Sequence, residues 1–217
     1  MPSVKTITPI LGDRYYHIFN RGSNKQNIFY SPENYVYFLH LMDQFLAGYV
    51  DFLAYCLLPN HFHLIIKTKE KLELAILDEV ENRSFCRERF SKQIIDDVNV
   101  IGKIIVNRLK RMFITYSMAI NKQENRVGNL FDPKYKRLMI TDDNYLRYAI
   151  FYAHYNPEKH KLIDDFKSYR FSSYKALVGN SKIKMDREFV YELFGDKSSF
   201  INYHSVLHDE QEQVIME

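Results

Sequence analysis

The segment VDFLAYCLLPNHFHLIIKTK, Val50 to Lys69, constrains the fold more than any other part of the chain. Val50–Leu58 is too apolar to be exposed on both faces, Pro59-Asn60 marks a turn, and His61–Lys69 runs out as a second strand. A hairpin at the centre of a sheet demands antiparallel pairing, which favours an α+β domain with helices packed on one sheet over a doubly wound parallel fold. The chain has 217 residues, 46% of them hydrophobic, enough for one domain with a real core and a possible appendage.

Other elements follow from periodicity and punctuation. DRYYHIFN, 13–20, is short, aromatic and bounded by glycines, and reads as a first strand. Ser31-Pro32 opens a helix whose inner face is Tyr35, Phe38, Leu39, Met42, Phe45 and Leu46, up to Gly48. After the hairpin, the spacing predicts a helix from Lys71 to about Phe90, a loop over 96–100 and a long helix over 101–123. A strand is expected at 135–140, then a helix capped at Thr141-Asp142-Asp143 and stopped by Asn156-Pro157. The acidic end, SVLHDEQEQVIME, reads as a frayed tail.

The formal charge of +3 is modest, but its distribution is not: residues 83–137 carry 13 Lys or Arg against 5 Asp or Glu, leaving the remainder acidic. Aromatic residues are interleaved with these cations, a pattern that suits single-stranded nucleic acid, although most of the rings could equally belong to the core. Cys56 and Cys86 are the only cysteines, so there is no disulfide framework and a reducing cytoplasm is the simplest compartment. No signal-peptide pattern and no membrane-spanning run of apolar residues is present.

Chemistry concentrates at His61-Phe62-His63. On a strand these two imidazoles project from one face and Phe62 from the other, a geometry that suits a shared divalent metal, although surface histidines show the same spacing. A third histidine at position 65 would indicate a histidine-triad hydrolase; that position is Ile65.

FLAYCLLPNHFHLIIKT, 52–68, closely resembles the signature of the single-tyrosine HUH transposases, which include the insertion-sequence and REP-associated tyrosine transposases. YHIFNRG at 16–22, the stretch 116–137, YAHYNP at 152–157 and YRFSSY at 169–174 are similar to further blocks of that family, and together they span 13–179. The resemblance implies a ferredoxin-like α+β domain over 1–179, of the HUH endonuclease type, with 180–217 as an extension without an assigned role. It also implies an enzyme that cuts and rejoins single-stranded or hairpin DNA through a 5′-phosphotyrosine, using Mg or Mn, often as a homodimer.

Carried onto these residues, the resemblance makes Tyr116 the nucleophile and His61 and His63 metal ligands. The tyrosine helix supplies a third ligand, either Asn121 or Gln123. Asn121 lies about 140° around the helix from Tyr116 and Gln123 returns nearly to its face. Arg21, Arg108, Lys110, Arg111, Arg126, Lys134, Lys136 and Arg137 are the expected DNA contacts, with Arg126 and Gly128 shaping the turn after the helix. His17 and His154 also fall in family blocks. Phe131 and Phe171 stand where the family commonly has Trp, which keeps a ring but loses an indole N–H. Two other readings remain open: a binding module of the same fold that no longer cuts, and a phosphodiesterase in which metal-bound water attacks.

Overall fold

The structure is a computed structural model that describes residues 7–78, 89–179 and 185–216. Six strands and six helices follow in the order β1 (Tyr15–Arg21), α1 (Pro32–Leu46), β2 (Val50–Leu58), β3 (His61–Thr68), β4 (Leu72–Asp78), β5 (Arg89–Ile95), α2 (Val98–Gln123), β6 (Lys136–Ile140), α3 (Asp143–Lys159), α4 (Tyr174–Val178), α5 (Arg187–Phe194) and α6 (Lys197–Met216). The main sheet has the order β2-β3-β1-β6 and is antiparallel throughout. Its connection β1-α1-β2 leaves a gap that β3 fills, and β6 joins the far side of β1 after α2. That is the ferredoxin-like arrangement, with the predicted hairpin as β2 and β3.

Alternation along the strands sorts the two faces. Phe62, Leu64 and Ile66 of β3 and Tyr16 and Ile18 of β1 are buried under α1 and α2. The opposite face buries Leu53, Ala54 and Ile65 with α3, α5 and α6. A bulge between Phe52 and Ala54 lets β2 present Leu53 and Ala54 to the same side.

Caps set the helix starts. Asp97 accepts from the N–H groups of Asn99 and Val100, so α2 begins inside the segment expected to be a loop. Its second turn crosses the segment before β1 so closely that a Cβ on Gly102 would lie 1.8 Å from the Ile10 carbonyl oxygen. Gly102→Ala is expected to cost 1–3 kcal/mol or more through overpacking against backbone, measurable as a fall in the urea midpoint.

Three expectations are corrected. The segment read as a helix from Lys71 to Phe90 begins and ends instead in paired strands, β4 and β5, with Leu72 opposite Ile95 and Asp78 opposite Arg89; its central residues, 79–88, lie outside the described residues, and Cys86 with them. The helix expected to stop at Asn156-Pro157 continues to Lys159. Proline removes only its own N–H from the ladder, while the Asn156 side chain donates to the Tyr152 carbonyl at 2.6 Å and the chain closes with His160 N–H on the Asn156 carbonyl. The expected frayed tail is helical to Met216. Phe200 and His204 of that helix are fully buried against α3, so α5 and the first half of α6 share a core with the sheet.

Candidate active site

Register places the histidines. β1 pairs with β3 so that Phe19 is opposite His63 and Arg21 opposite His61, and β6 pairs with β1 so that Lys136 is opposite Phe19. His17, two residues before Phe19, shares their face, and its Nε2 lies 2.8 Å from His63 Nδ1. His61 Nδ1 lies 2.7 Å from Asn60 Oδ1, while the Asn60 amide nitrogen donates to the Lys25 carbonyl. The amide orientation therefore puts the His61 proton on Nδ1 and leaves Nε2 with a lone pair.

Helix α3 crosses this face. The Tyr152 ring, half-buried, lies 5.7 Å from that of His63 and 6.4 Å from that of His17, and Lys159 Nζ sits 4.7 Å over it. One turn after Tyr152, Asn156 is fully buried beside His61, with its amide nitrogen on the Tyr152 carbonyl and its Oδ1 without a hydrogen-bond partner. The His160 ring at the end of α3 is 4.9 Å from that of His61.

The electrostatics keep these imidazoles neutral. Burial holds His17 down to about 4, and burial with the neighbouring His160 and Arg21 holds His61 down to about 4, partly opposed by its polar contact with Asn156. Burial and the surrounding histidines push His63 well below the ordinary range. Among the described residues, no group of three or more His, Cys, Asp or Glu could hold a metal. Among the described residues a third protein ligand beside His61 and His63 would therefore be a neutral oxygen, of an amide, a hydroxyl or a carbonyl. The orphaned Asn156 oxygen stands there, so a set of two imidazole nitrogens and one oxygen fits a divalent cation.

Tyr116 is elsewhere. It lies on α2 across the sheet, fully buried among Phe29, Phe38 and Phe131, and its hydroxyl donates to the Ile28 carbonyl at 2.7 Å. Burial pushes its phenol far above the ordinary value of 10. The expectation that it is the nucleophile is therefore corrected: the spacing that aligns it with Met112 and Ile120 directs it into the core, away from the histidines. The third-ligand expectations fall with it. Asn121 donates to the Gly128 carbonyl, and Gln123 accepts from Asn34 and donates to Glu124, so both fasten the end of α2.

The expected DNA contacts divide. Arg21, paired with Asp132 at 3.1 Å, and Lys136 line a cleft of about 680 Å³ with Phe19, Lys25, His61 and His160. Lys110 and Lys134 are exposed along a second groove between α2 and the 128–135 segment. Arg137 also borders that groove but is tied to the Thr8 carbonyl and the Tyr135 hydroxyl. Arg108 donates to the Phe45 carbonyl and stacks 3.7 Å from the Tyr49 ring centroid, a structural anchor between α1 and α2. Arg111 lies over Phe45 and Arg126 over Tyr30, both away from the histidines.

No family model matches the chain. A curated relative from Haemophilus influenzae, named as a REP-associated tyrosine transposase, is 22% identical over 122 residues, which are 56% of this chain. The match takes in 57% of the relative, so the chain spans little more than half the length of the protein it matches. A solved structure of a REP-associated tyrosine transposase bound to a REP hairpin aligns with 84% of this chain and 90% of its own, at a TM-score of 0.52 and 17% identity. The chain resembles the REP-associated tyrosine transposases. No described helix is long and apolar enough to cross a membrane.

Sequence reasoning did not place Tyr152 and Asn156 beside the histidines, although it singled out YAHYNP as a family block. Their four-residue spacing was the available signal, because it puts a phenol and an amide on one helix face.

Proposed function

We propose that the protein is a metal-dependent single-strand DNA nuclease and strand transferase, of the transposase type, that works through a 5′-phosphotyrosine on Tyr152. The observation that carries this reading is the convergence, within one chain, of the Tyr152 ring, the His61 and His63 imidazoles and the unpartnered Asn156 oxygen. Single-stranded or hairpin DNA is the substrate class, supported by the cations at the cleft and by the hairpin bound to the structural neighbour. Since phenol and histidines come from the same chain, the reaction is complete in a monomer and no exchange between copies is needed.

His61 Nε2, His63 Nε2 and Asn156 Oδ1 would hold the divalent cation, Mg or Mn. When bound, the cation neutralises non-bridging oxygens of the scissile phosphate as charge builds on them. Arg21, Lys25 and Lys136 hold the neighbouring backbone phosphates. Lys159 Nζ, 4.7 Å over the Tyr152 ring, sets a cation beside the attacking group. The Tyr152 oxygen attacks phosphorus, the P–O3′ bond breaks, the phenolic proton goes to solvent and the 3′-oxygen takes up a proton. The new ester retains the bond energy, so a 3′-hydroxyl can later displace Tyr152, rejoining DNA and returning the phenol without ATP.

The test uses the full chain with 3′-labelled single-stranded and hairpin oligonucleotides from its genomic flanks, with Mn²⁺ or Mg²⁺ or with EDTA. A covalent adduct that requires metal and maps by peptide fragmentation to Tyr152, within the tryptic peptide 148–159, is the expected result. Cleavage without an adduct would replace this reading with attack by water.

A further inference from the structure

A neutral imidazole has one N–H and one lone pair, so the 2.8 Å contact between His17 Nε2 and His63 Nδ1 can hold only one proton. Two arrangements satisfy it. If His17 donates, the His63 proton sits on Nε2 and blocks ligation there. If His63 donates from Nδ1, its Nε2 lone pair is free. Both residues are only 6% exposed, and Phe19 packs against both rings, 4.7 Å from His17 and 5.7 Å from His63. Neither contact nitrogen can exchange its partner for bulk water without parting this packing.

Metal-ligating histidines donate their second N–H to a carboxylate, carbonyl or water, which fixes both tautomer and ring orientation. His61 follows that pattern through Asn60 Oδ1. For His63 the place of the oxygen is taken by an imidazole. We infer that His17 is a positioning residue of the candidate site: by accepting the His63 Nδ1 proton it holds His63 in the tautomer and orientation whose Nε2 binds a divalent cation. His17 acts through His63, on the neighbouring strand, and has no part in the chemical steps. The inference rests on the metal reading of the site given above.

Mn²⁺ binding to the full chain without DNA, followed by the electron paramagnetic resonance signal of the free ion, separates the two. His17→Leu removes the acceptor and is expected to weaken Mn²⁺ binding about 10- to 100-fold. His17→Gln, whose amide oxygen can accept the same proton, is expected to restore affinity to within a few-fold, which a purely structural role would not require. In the wild-type protein with Mg²⁺, imidazole ¹⁵N shifts are expected to show His63 protonated at Nδ1, a measurement that needs no variant and decides the matter even if His17→Leu does not fold. The inference is overturned if His17→Leu binds Mn²⁺ like wild type while His63→Ala does not, or if His63 carries its proton on Nε2 with Mg²⁺ present. If His63→Ala itself binds Mn²⁺ like wild type, the metal reading fails and takes this inference with it.

Discussion

Tyr152→Phe is expected to abolish covalent capture of DNA, while Tyr116→Phe keeps capture and loses stability instead. In the proposed reaction Tyr152 supplies the attacking oxygen, and Phe at that position has none to offer. Adduct should fall by more than about 10³-fold, as when a nucleophile is removed from other covalent enzymes. Its ring is half-buried and Phe keeps the packing, so stability should change by no more than about 0.5 kcal/mol. Tyr116 reverses the pattern. Its hydroxyl is the donor to the Ile28 carbonyl inside the α1–α2 core, and its loss leaves that carbonyl unpaired at a cost of about 1–3 kcal/mol. Adduct yield should stay within a few-fold wherever the variant is folded. Denaturing gels read the adduct and urea titration reads the stability. A folded Tyr116→Phe protein that forms no adduct, beside an active Tyr152→Phe protein, would return the nucleophile to α2.

These two tyrosines also show how far the sequence could be read. The hairpin was legible because an apolar nine-residue strand, a Pro-Asn turn and a second apolar strand leave few alternatives, and the alternation at His61-Phe62-His63 correctly assigned the two faces. The helix over 71–90 was misread because Leu72, Leu74 and Ile76 alternate as a strand does, yet the charged residues that follow fit a helical face, and short apolar runs carry both meanings. Tyr116 was expected beside the histidines, and helix geometry explains why it is not. Tyr116 and Asn121 are five apart and point about 140° from each other on a helix, whereas Tyr152 and Asn156 are four apart and share a face. Pro157 concealed this pair, because it was read as a helix stop, whereas the helix runs through it to Lys159. The hydrogen bond between His17 and His63 was out of reach, since their sequence separation of 46 is closed only by the β1–β3 register.

Acid should unfold this protein in a window set by its histidines. His17, His61 and His204 are held down to about 4, and His63 and His154 well below the ordinary 6.5, in each case first by burial. The second pair is as constrained as the first. Phe200 O can only accept, so His204 Nδ1 carries a proton and its Nε2 receives one from His154 Nδ1; His154 Nε2 then accepts from Ser173, whose oxygen accepts the Tyr55 N–H. A further proton on either ring of this chain sets donor against donor or charges a ring with no water beside it. Because the folded pKa values lie below the unfolded one, the unfolded chain binds more protons between them. The stability these neutral rings carry is therefore present above about 6.5 and is lost as pH falls toward 4. Each contributes a slope of about 1.4 kcal/mol per pH unit within the window, so five give up to about 7 kcal/mol per pH unit, and a fall of a single unit is enough to remove much of the about 5–15 kcal/mol that holds a domain folded. Asp97 and Asp196, held below the ordinary carboxylate range by the backbone N–H groups they cap, titrate later and leave the interval from pH 6.5 to 5 to the histidines. Urea titrations in EDTA from pH 7.5 to 5 should show the unfolding free energy falling steeply with an unchanged m-value. His204→Gln, which keeps an acceptor for His154 but cannot titrate, should flatten the slope by about one proton. Constant stability across that interval would mean that these imidazoles accept protons without leaving the fold.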